Sequence, residues 1–273
     1  MTKKSSEDYV HGYSQREAVR LDDQSRTLSE LLHADEVYPA GSLVLEAGCG
    51  TGCQTRFLAA NNPDSSFVCV DISPDSLNQA RNAAKERGFN NIRFEQASIF
   101  ELPFEDGKFD YVFVCFVLEH LADPMKALSE LMRVLKPGGR ITVIEGDHGS
   151  AYFYPDSALA RRSIQCLVDL QAQSGGDALI GRRLYPLLRQ AGFNEVTVSP
   201  RVVYADASRP EWVEGFTRNT FTAMVAGVET AVLAADRMTE KDWRQAIADL
   251  YRTAKADGVF NYTFFKARGV KPS

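Results

Sequence analysis

The sequence has no apolar run that approaches the roughly twenty residues needed to span a bilayer. Its first residues include lysines but no hydrophobic segment behind them, so nothing there predicts a secretion signal. Positive charge is not in excess either, with 31 Lys and Arg against 36 Asp and Glu and a net charge of −5. Such a chain has no overall basic field to attract a nucleic acid. We therefore expect a cytoplasmic protein without a membrane span or a nucleic-acid partner, and the oligomeric state stays open.

Cysteine and histidine are scarce, with five and four residues in the 273 of the chain. The cysteines form no Cys-x-x-Cys pair and have no matching pair of histidines, so we expect no zinc or other metal site. Cys49 and Cys53 lie near a glycine-rich loop, where small cysteines usually serve as packing. A disulfide framework is not indicated.

A glycine-rich loop follows the first predicted strand. The strand ends at Glu46 and Ala47, and Gly48, Gly50 and Gly52 follow in alternation. About twenty residues later, a second apolar run ends in a carboxylate at position 71. A strand, a glycine turn and a second strand that ends in an acid indicate a site for a cofactor that carries a ribose. Side chains on the loop would prevent a ligand from approaching the backbone closely.

The spacing of the glycines argues against a dinucleotide. The dinucleotide fingerprint has its third glycine three residues after the second, where this chain has Cys53. Glu46 would also bring a carboxylate close to an anionic pyrophosphate, which is unfavourable. A cationic cofactor suits the loop better, so an NAD(P)-dependent oxidoreductase is the less favoured alternative.

Residues 46–52, EAGCGTG, resemble the first motif of the class I S-adenosylmethionine-dependent methyltransferases, within their small-molecule, UbiE-like type 11 branch. The resemblance continues in order over residues 41–146. DIS at 71–73 is similar to the family's acidic ribose-binding turn, LPF at 102–104 and FDYV at 109–112 to its fourth-strand signature, and LKPGG at 135–139 to its turn before strand five. The resemblance implies S-adenosyl-L-methionine as the cofactor, which is cationic at its sulfonium and ammonium and has no phosphate.

Short apolar runs alternate with amphipathic segments from residue 43 onward, which predicts an α/β fold with a mostly parallel sheet covered by helices on both faces. The resemblance implies a doubly wound sheet of seven strands that ends in an antiparallel edge hairpin. The predicted strands are residues 43–46, 67–71, 92–96, 109–115, 140–145, 195–203 and 260–265, and the main predicted helices are 15–33, 73–87, 124–134, 157–172 and 182–190, with a turn at 137–139.

One domain with insertions is the simplest organisation for a chain of this length. We expect an N-terminal helical cap, a cofactor-binding core, a lid insertion after strand five and a helical insertion between the last two strands. The expected bounds are 1–40 for the cap, 41–147 for the core, 148–180 for the lid, 209–257 for the helical insertion, and 181–208 with 258–273 for the rest of the sheet.

Open α/β sheets bind ligands at the carboxyl ends of their strands. The candidates for cofactor binding are therefore the residues that follow each predicted strand. Asp71 is expected to accept hydrogen bonds from the ribose hydroxyls. The family usually has an aspartate for the adenine after strand three, where this chain has Ser98, whose hydroxyl still accepts such a bond. Glu46 is expected to face the ammonium of the cofactor. The other candidates implied for the cofactor are Gly48, Gly50, Gly52, Ile72, Ile99, Cys115, Phe116 and Tyr13.

Two histidines are candidates for a catalytic base. His120 follows strand four and His148 follows strand five, and imidazole exchanges a proton near neutral pH. A sulfonium is already an activated methyl donor, so placement of the two reactants supplies most of the catalysis and no triad is required. The candidates for contact with the methyl acceptor are Glu145, Tyr152, Tyr154 and Arg16, with the two tyrosines as an aromatic wall.

The predicted function is in-line transfer of a methyl group to a small molecule. Residues 115–118 are CFVL rather than the Asp/Asn-Pro-Pro-aromatic motif of amino-methylating DNA enzymes. A protein acceptor and a cofactor-binding protein without turnover remain alternatives. The sequence does not identify the acceptor atom as nitrogen, oxygen, sulfur or carbon.

Overall fold

The computed structural model describes residues 25–273. Tyr13 and Arg16, predicted for the cofactor and the acceptor, lie outside the described residues, as does most of the expected N-terminal cap. The described chain starts with helical residues 25–33, labelled α1.

Seven strands form one sheet. They are β1 (Leu43–Ala47), β2 (Ser66–Asp71), β3 (Ile92–Gln96), β4 (Phe109–Cys115), β5 (Leu135–Tyr154), β6 (Asn194–Ala205) and β7 (Val259–Val270). Their order is β3-β2-β1-β4-β5-β7-β6. Strands β1 to β5 pair in parallel, and β7 is antiparallel to both β5 and β6. The predicted fold and its antiparallel hairpin are confirmed.

The central strands are almost continuous apolar runs because helices cover both faces of the sheet. Residues 44–47 of β1 and 67–70 of β2 are buried, and the register aligns Ala47 with Val70 of β2 and Val114 of β4. Their carboxyl ends therefore meet at one edge of the sheet, which is where the predicted cofactor residues lie.

Five helices connect the strands up to β6. They are α2 (Thr55–Asn61), α3 (Pro74–Glu86), α4 (Pro124–Val134), α5 (Ala158–Gln173) and α6 (Leu184–Gln190). Side chains cap three of them: Ser73, Asp123 and Ser157 each accept a hydrogen bond from a backbone N–H of the first helical turn. Proline at the first position of α3 and α4 has its φ preset for a helix.

Strand β5 is longer than predicted, and two expectations are corrected there. The residues of the predicted turn at 137–139 stay within the strand as an irregularity in its pairing with β4. The first residues of the predicted lid also belong to the sheet, since 152–154 pair with 259–261 of β7. Ala151 and Phe153 are buried while Tyr152 and Tyr154 are exposed, which is the period-two alternation of a strand.

The insertion between β6 and β7 is helical, as predicted. It comprises α7 (Pro210–Trp212), a π-helical segment (Val213–Thr222), α8 (Ala223–Ala226), α9 (Glu229–Ala234) and α10 (Glu240–Arg252). The rings of Phe216 and Phe221 pack at centroid distances of 5.5 and 5.4 Å from Tyr262 on β7. The insertion therefore covers the aromatic face of the antiparallel part of the sheet.

A buried charge network fixes the segment between α1 and β1 to the sheet. Lys266 on β7 is 2% exposed, and its Nζ donates to Leu32 O at 2.8 Å and to Asp35 Oδ1 at 2.7 Å. Its Nζ also lies 2.6 Å from Glu36 Oε1, to which Arg268 donates as well.

No helix of residues 25–273 is long and apolar enough to cross a bilayer.

Candidate active site

The glycine loop after β1 has three residues in the left-handed region. Gly48, Gly50 and Gly52 have φ of +78°, +52° and +77°. A Cβ on Gly48 would lie 2.4 Å from Cγ2 of Val117 in the loop after β4, so only glycine permits this close approach. A Cβ on Gly50 would meet nothing within 4 Å. The backbone of Gly50 thus faces open space at the carboxyl edge of the sheet.

Asp71 joins the end of β2 to this loop. Its Oδ2 accepts from Gly50 N at 2.8 Å, and its Oδ1 accepts from Ser73 N at 2.9 Å. Burial raises the pKa of Asp71, and the backbone N–H donors oppose that rise. The structure therefore brings together the two predicted parts of a nucleoside site, the glycine turn and the acidic residue.

Glu46 lies beneath the loop and is 2% exposed. Its Oε2 accepts from the Thr55 hydroxyl of α2 at 2.6 Å and from Cys69 Sγ of β2 at 3.4 Å. Burial raises the pKa of Glu46 to about 7. Its contacts connect β1, β2 and α2, and its role toward the cofactor's ammonium stays a prediction.

The candidates for the adenine follow β2 and β3. Ile72 is 38% exposed, an unusual position for an isoleucine beside a buried strand. Gln96 Nε2 donates to Ile72 O at 3.0 Å and connects the ends of the two strands. Ser98 Oγ accepts from Phe100 N at 3.3 Å, and Ile99 is buried next to it.

The loop after β4 is held in an uncommon backbone conformation. Phe116 has φ of +59°, and its N–H donates to Ile144 O at 2.9 Å. A bulky residue in the left-handed region is strained and persists only where its surroundings enforce it. Here Oε1 of Glu145 accepts from Val117 N at 3.0 Å and Leu118 N at 2.7 Å. The candidate Cys115, just before the loop, is buried.

The ends of β4 and β5 are rich in buried acids. Burial, followed by repulsion from Glu119, raises the pKa of Glu145 well above its usual range. Gln171 Nε2 donates to the backbone oxygen of Glu119 at 3.0 Å. His120 Nε2 lies 3.5 Å from Glu119 Oε1, so this predicted base is paired with a carboxylate on its own turn.

His148 occupies the aromatic end of the site. Its Nδ1 lies 2.7 Å from Tyr262 Oη, and its ring centroid lies 6.0 Å from that of Phe221. The neighbouring Asp147 is 3% exposed and binds Arg182 through both carboxylate oxygens, at 2.6 and 2.7 Å. The structure thus places the predicted base beside a phenol, among buried rings from β7 and the helical insertion.

The structure places Tyr152 and Tyr154, the predicted aromatic wall, on an exposed face of β5. Both side chains are 61% exposed, on the face of β5 opposite to Phe153. The strand continues through these residues, so their direction is set by the pleat rather than by a lid. The aromatic residues that reach His148 come instead from the insertion and β7.

Sequence reasoning missed Tyr262, Val117 and Thr55. Alternation of aromatic residues within the strand predicted at 260–265 was the available signal for Tyr262, since every second residue of a strand shares a face. The roles of the other two depend on contacts between distant segments, which leave no local pattern. Within residues 25–273, no three His, Cys, Asp or Glu side chains lie close enough together to hold a metal ion, and the five cysteines are free thiols.

Comparison with known proteins agrees with this geometry. A family profile described as a methyltransferase domain matches residues 45–143. The core belongs to the class I S-adenosylmethionine-dependent methyltransferases. The match confirms the family predicted from the motifs and, with it, S-adenosyl-L-methionine as the family's cofactor. The open backbone at Gly50 and the Asp71 carboxylate fit that cofactor.

Two relatives and one solved structure show how far the likeness extends. An uncharacterized 37.1 kDa protein in transposon TN4556 of Streptomyces fradiae is 37% identical over 212 residues, 77% of this chain and 59% of the relative. Demethylmenaquinone methyltransferase of Thermus thermophilus is 42% identical over 102 residues, 37% of this chain and 46% of the relative. The chain thus spans 59% and 46% of the lengths of these curated relatives.

The fold resembles a phosphoethanolamine N-methyltransferase 2 of Haemonchus contortus solved with phosphomonomethylethanolamine and S-adenosylhomocysteine. The TM-score is 0.57 at 18% identity, over 92% of this chain and 53% of that one. At this identity the likeness supports the fold alone.

Proposed function

We propose that this protein transfers a methyl group from S-adenosyl-L-methionine to a small-molecule acceptor by in-line displacement. When bound, the cofactor supplies a methyl group that its sulfonium charge has already activated. The chain must then hold the cofactor, align the acceptor behind the methyl group and exclude water, and alignment alone removes roughly 7 to 11 kcal/mol of barrier.

The observation that carries the proposal is the contact between Asp71 and Gly50. The carboxylate at the end of β2 and the glycine turn after β1 are 21 residues apart in the chain and are joined by a 2.8 Å hydrogen bond. Asp71 is proposed to bind the ribose, with the glycine loop on one side and the candidates Ile72, Ser98 and Ile99 for the adenine on the other.

The remaining length of the cofactor is proposed to cross β1 toward β4. Cys115 and Phe116 lie there, and Phe116 packs against Phe264 of β7 at a ring-centroid distance of 5.3 Å. Buried rings from β7 and the helical insertion pack next to Phe264, and the acceptor end is proposed to be enclosed by this apolar cluster, which would exclude water. His148, held by Tyr262, is proposed to take a proton from an acceptor that must lose one.

A small-molecule acceptor is supported by this enclosure and by the matched relative. That relative is named a demethylmenaquinone methyltransferase, and the match covers 37% of this chain. The acceptor is therefore proposed as a class only. Formation of S-adenosylhomocysteine with a panel of small phenols, amines and quinols, against a panel of peptides, tests the class, and turnover restricted to peptides would contradict it.

The substitution Asp71→Ala tests the site. We expect it to weaken binding of S-adenosylhomocysteine by about 1.5 to 3 kcal/mol, because charge-assisted hydrogen bonds to the ribose and the anchor of Gly50 are lost together. Isothermal titration calorimetry measures this. Asp75→Ala, at an exposed position in the first turn of α3, is the control and should bind normally. An affinity for Asp71→Ala within twofold of the unchanged protein would contradict the placement of the ribose.

A further inference from the structure

Strand β5 carries a buried acid just after the residues that pair with β4, and one oxygen of this acid accepts no hydrogen bond. Glu145 is fully buried, and its Oε1 accepts both hydrogen bonds from the loop after β4. The Glu119 N–H also lies close enough to the carboxyl group to oppose the rise in its pKa, but Oε2 has no partner of normal hydrogen-bond geometry among residues 25–273. A buried carboxylate oxygen without a donor or a nearby cation is costly. This oxygen therefore points to a ligand group as its partner.

The sheet places Glu145 where the reactive end of the cofactor is proposed to lie. Cys115 is aligned with Ile144, and Ala47 is aligned with Val114, so Glu145 is level with the first residues of the glycine loop. Strand β4 lies between β1 and β5. Strands β1 and β5 are therefore about 10 Å apart, which is twice the distance between neighbouring strands. A cofactor with its ribose at β2 that extends across β1 would end near the carboxyl end of β4, which is level with Ile144 and Glu145 of β5.

We propose that Glu145, with Glu119 beside it, distinguishes the charge on the transferred centre, favouring the cationic sulfonium of S-adenosyl-L-methionine over the neutral thioether of S-adenosylhomocysteine. The inference rests on the proposed function and adds a specificity-determining residue to it. Its consequence is that loss of the methyl group removes a favourable charge interaction, so the product leaves more readily than the substrate.

The preference is expected to depend on pH. Burial and repulsion from Glu119 raise the pKa of Glu145, and a cation bound beside the carboxyl group would favour its ionised form. The preference for the sulfonium should therefore increase with pH until Glu145 is ionised without the ligand as well. The pH dependence is set within a cluster of ionisable groups around Glu145. They are Glu119 and His120 after β4, Cys115 on β4, Glu46 on β1, Asp147 and His148 on β5, and Tyr262 and Lys266 on β7.

Calorimetric titration of the whole protein tests the proposal. The dissociation constants of S-adenosyl-L-methionine, S-adenosylhomocysteine and sinefungin, which has a protonated amine near the position of the methyl group, are measured for the unchanged protein and for Glu145→Gln. Glutamine keeps an oxygen for the N–H groups of Val117 and Leu118 but has no charge. We expect the preference for both cationic ligands over S-adenosylhomocysteine to fall about tenfold, with S-adenosylhomocysteine binding changed less than threefold. Asp110→Asn, at the other end of β4, is the matched control and should keep the preference.

A measurement on the unchanged protein decides the question if Glu145→Gln does not fold. At pH about 6 the α-amino groups of both ligands are protonated, so titration in two buffers of different ionisation enthalpy counts protons released by the protein. S-adenosyl-L-methionine should release more than S-adenosylhomocysteine. Equal release, or an unchanged preference in Glu145→Gln, would overturn the inference while leaving the proposed function intact. Failure of all three ligands to bind the unchanged protein would overturn the proposed function and this inference with it.

Discussion

Single residues of the glycine loop have separate tasks, although the sequence presents them as one motif. Gly48 leaves room for Val117, whose Cγ2 would lie 2.4 Å from an added Cβ. At Gly50, by contrast, an added Cβ would have no protein atom within 4 Å, so the space beside this glycine is not filled by the protein. The first glycine is therefore required by packing, and the second is available to a ligand.

Gly50→Ala and Gly41→Ala form a matched pair that tests this difference. Both glycines have positive φ, +52° and +80°, and neither Cβ would meet an atom within 4 Å. Each substitution should lower the free energy of unfolding by about 1 to 2 kcal/mol through backbone strain, measured by urea denaturation. Only Gly50→Ala should lose affinity for S-adenosylhomocysteine, by at least tenfold in titration calorimetry. If both variants bind alike, the ligand does not approach Gly50.

Glu46→Gln should change the pH dependence of stability. The pKa of Glu46 is about 7 in the folded protein against 4.5 in the unfolded chain, so the native state holds a proton that the unfolded chain releases. The unchanged protein therefore loses stability from Glu46 as pH rises from about 4.5 to 7, on the order of 3 kcal/mol. Glutamine removes this loss.

The measurement for Glu46→Gln is the free energy of unfolding by urea at pH 5 and pH 8. Relative to the unchanged protein, the variant should gain on the order of 3 kcal/mol between the two conditions. Burial lowers the pKa of His33 to about 4, which weakens the protein as pH falls below 6.5. That opposite slope is present in both proteins and cancels in the comparison. A difference that is the same at both pH values would show that Glu46 is not buried as an acid.

At the scale of elements, the segment between α1 and β1 is held by charge rather than by apolar packing alone. Lys266 and Arg268 reach it from β7, and Arg201 pairs with Asp35 from β6. Tyr38 and Thr142 donate to the other oxygen of Glu36 at 3.2 Å. These contacts fix the start of the described chain against β5, β6 and β7.

Lys266→Met tests the strength of this attachment. The substitution keeps a similar apolar length but leaves Asp35 and Glu36 without the buried ammonium. We expect the free energy of unfolding to fall by about 3 kcal/mol. This is the lower end of the range for removing one partner of a buried ion pair, because Arg268 still binds Glu36. Urea denaturation at pH 7 measures it, with the exposed Lys241→Met as the control. A loss below 1 kcal/mol would mean that the network adds little to stability.

At the scale of the whole molecule, the proposed site lies at the carboxyl edge of one sheet, so binding there should stabilise the complete fold. At a concentration 100 times its dissociation constant, a ligand adds about 2.7 kcal/mol to the free energy of unfolding. For a chain of this size we expect S-adenosylhomocysteine to raise Tm by about 5 to 10 °C in a thermal-shift measurement. NAD should leave Tm unchanged, and an equal rise with NAD would contradict the cofactor assignment.

The sequence by itself determined the fold class, the strand positions near the glycine loop and a site for a cofactor that carries a ribose. These follow from local spacing: glycines at fixed offsets, an acid at the end of the next strand, and apolar runs separated by amphipathic helices. The identity of the cofactor came from the resemblance of the motifs to a known family. Strands β3 and β4 and helix α4 have the predicted bounds, because clear turn residues or an N-cap delimit them.

Only the tertiary structure decided which residues lie around the proposed acceptor end. Tyr262 is 114 residues from His148, and Glu145 is 28 residues from Val117, so both contacts exist only because β7 inserts beside β5 and β4 lies on its other side. The direction of Tyr152 and Tyr154 likewise depended on whether β5 continued past residue 148, which pairing with β7 decides. Interactions between distant segments leave no periodic signal in the chain, and they place the groups around the proposed methyl transfer.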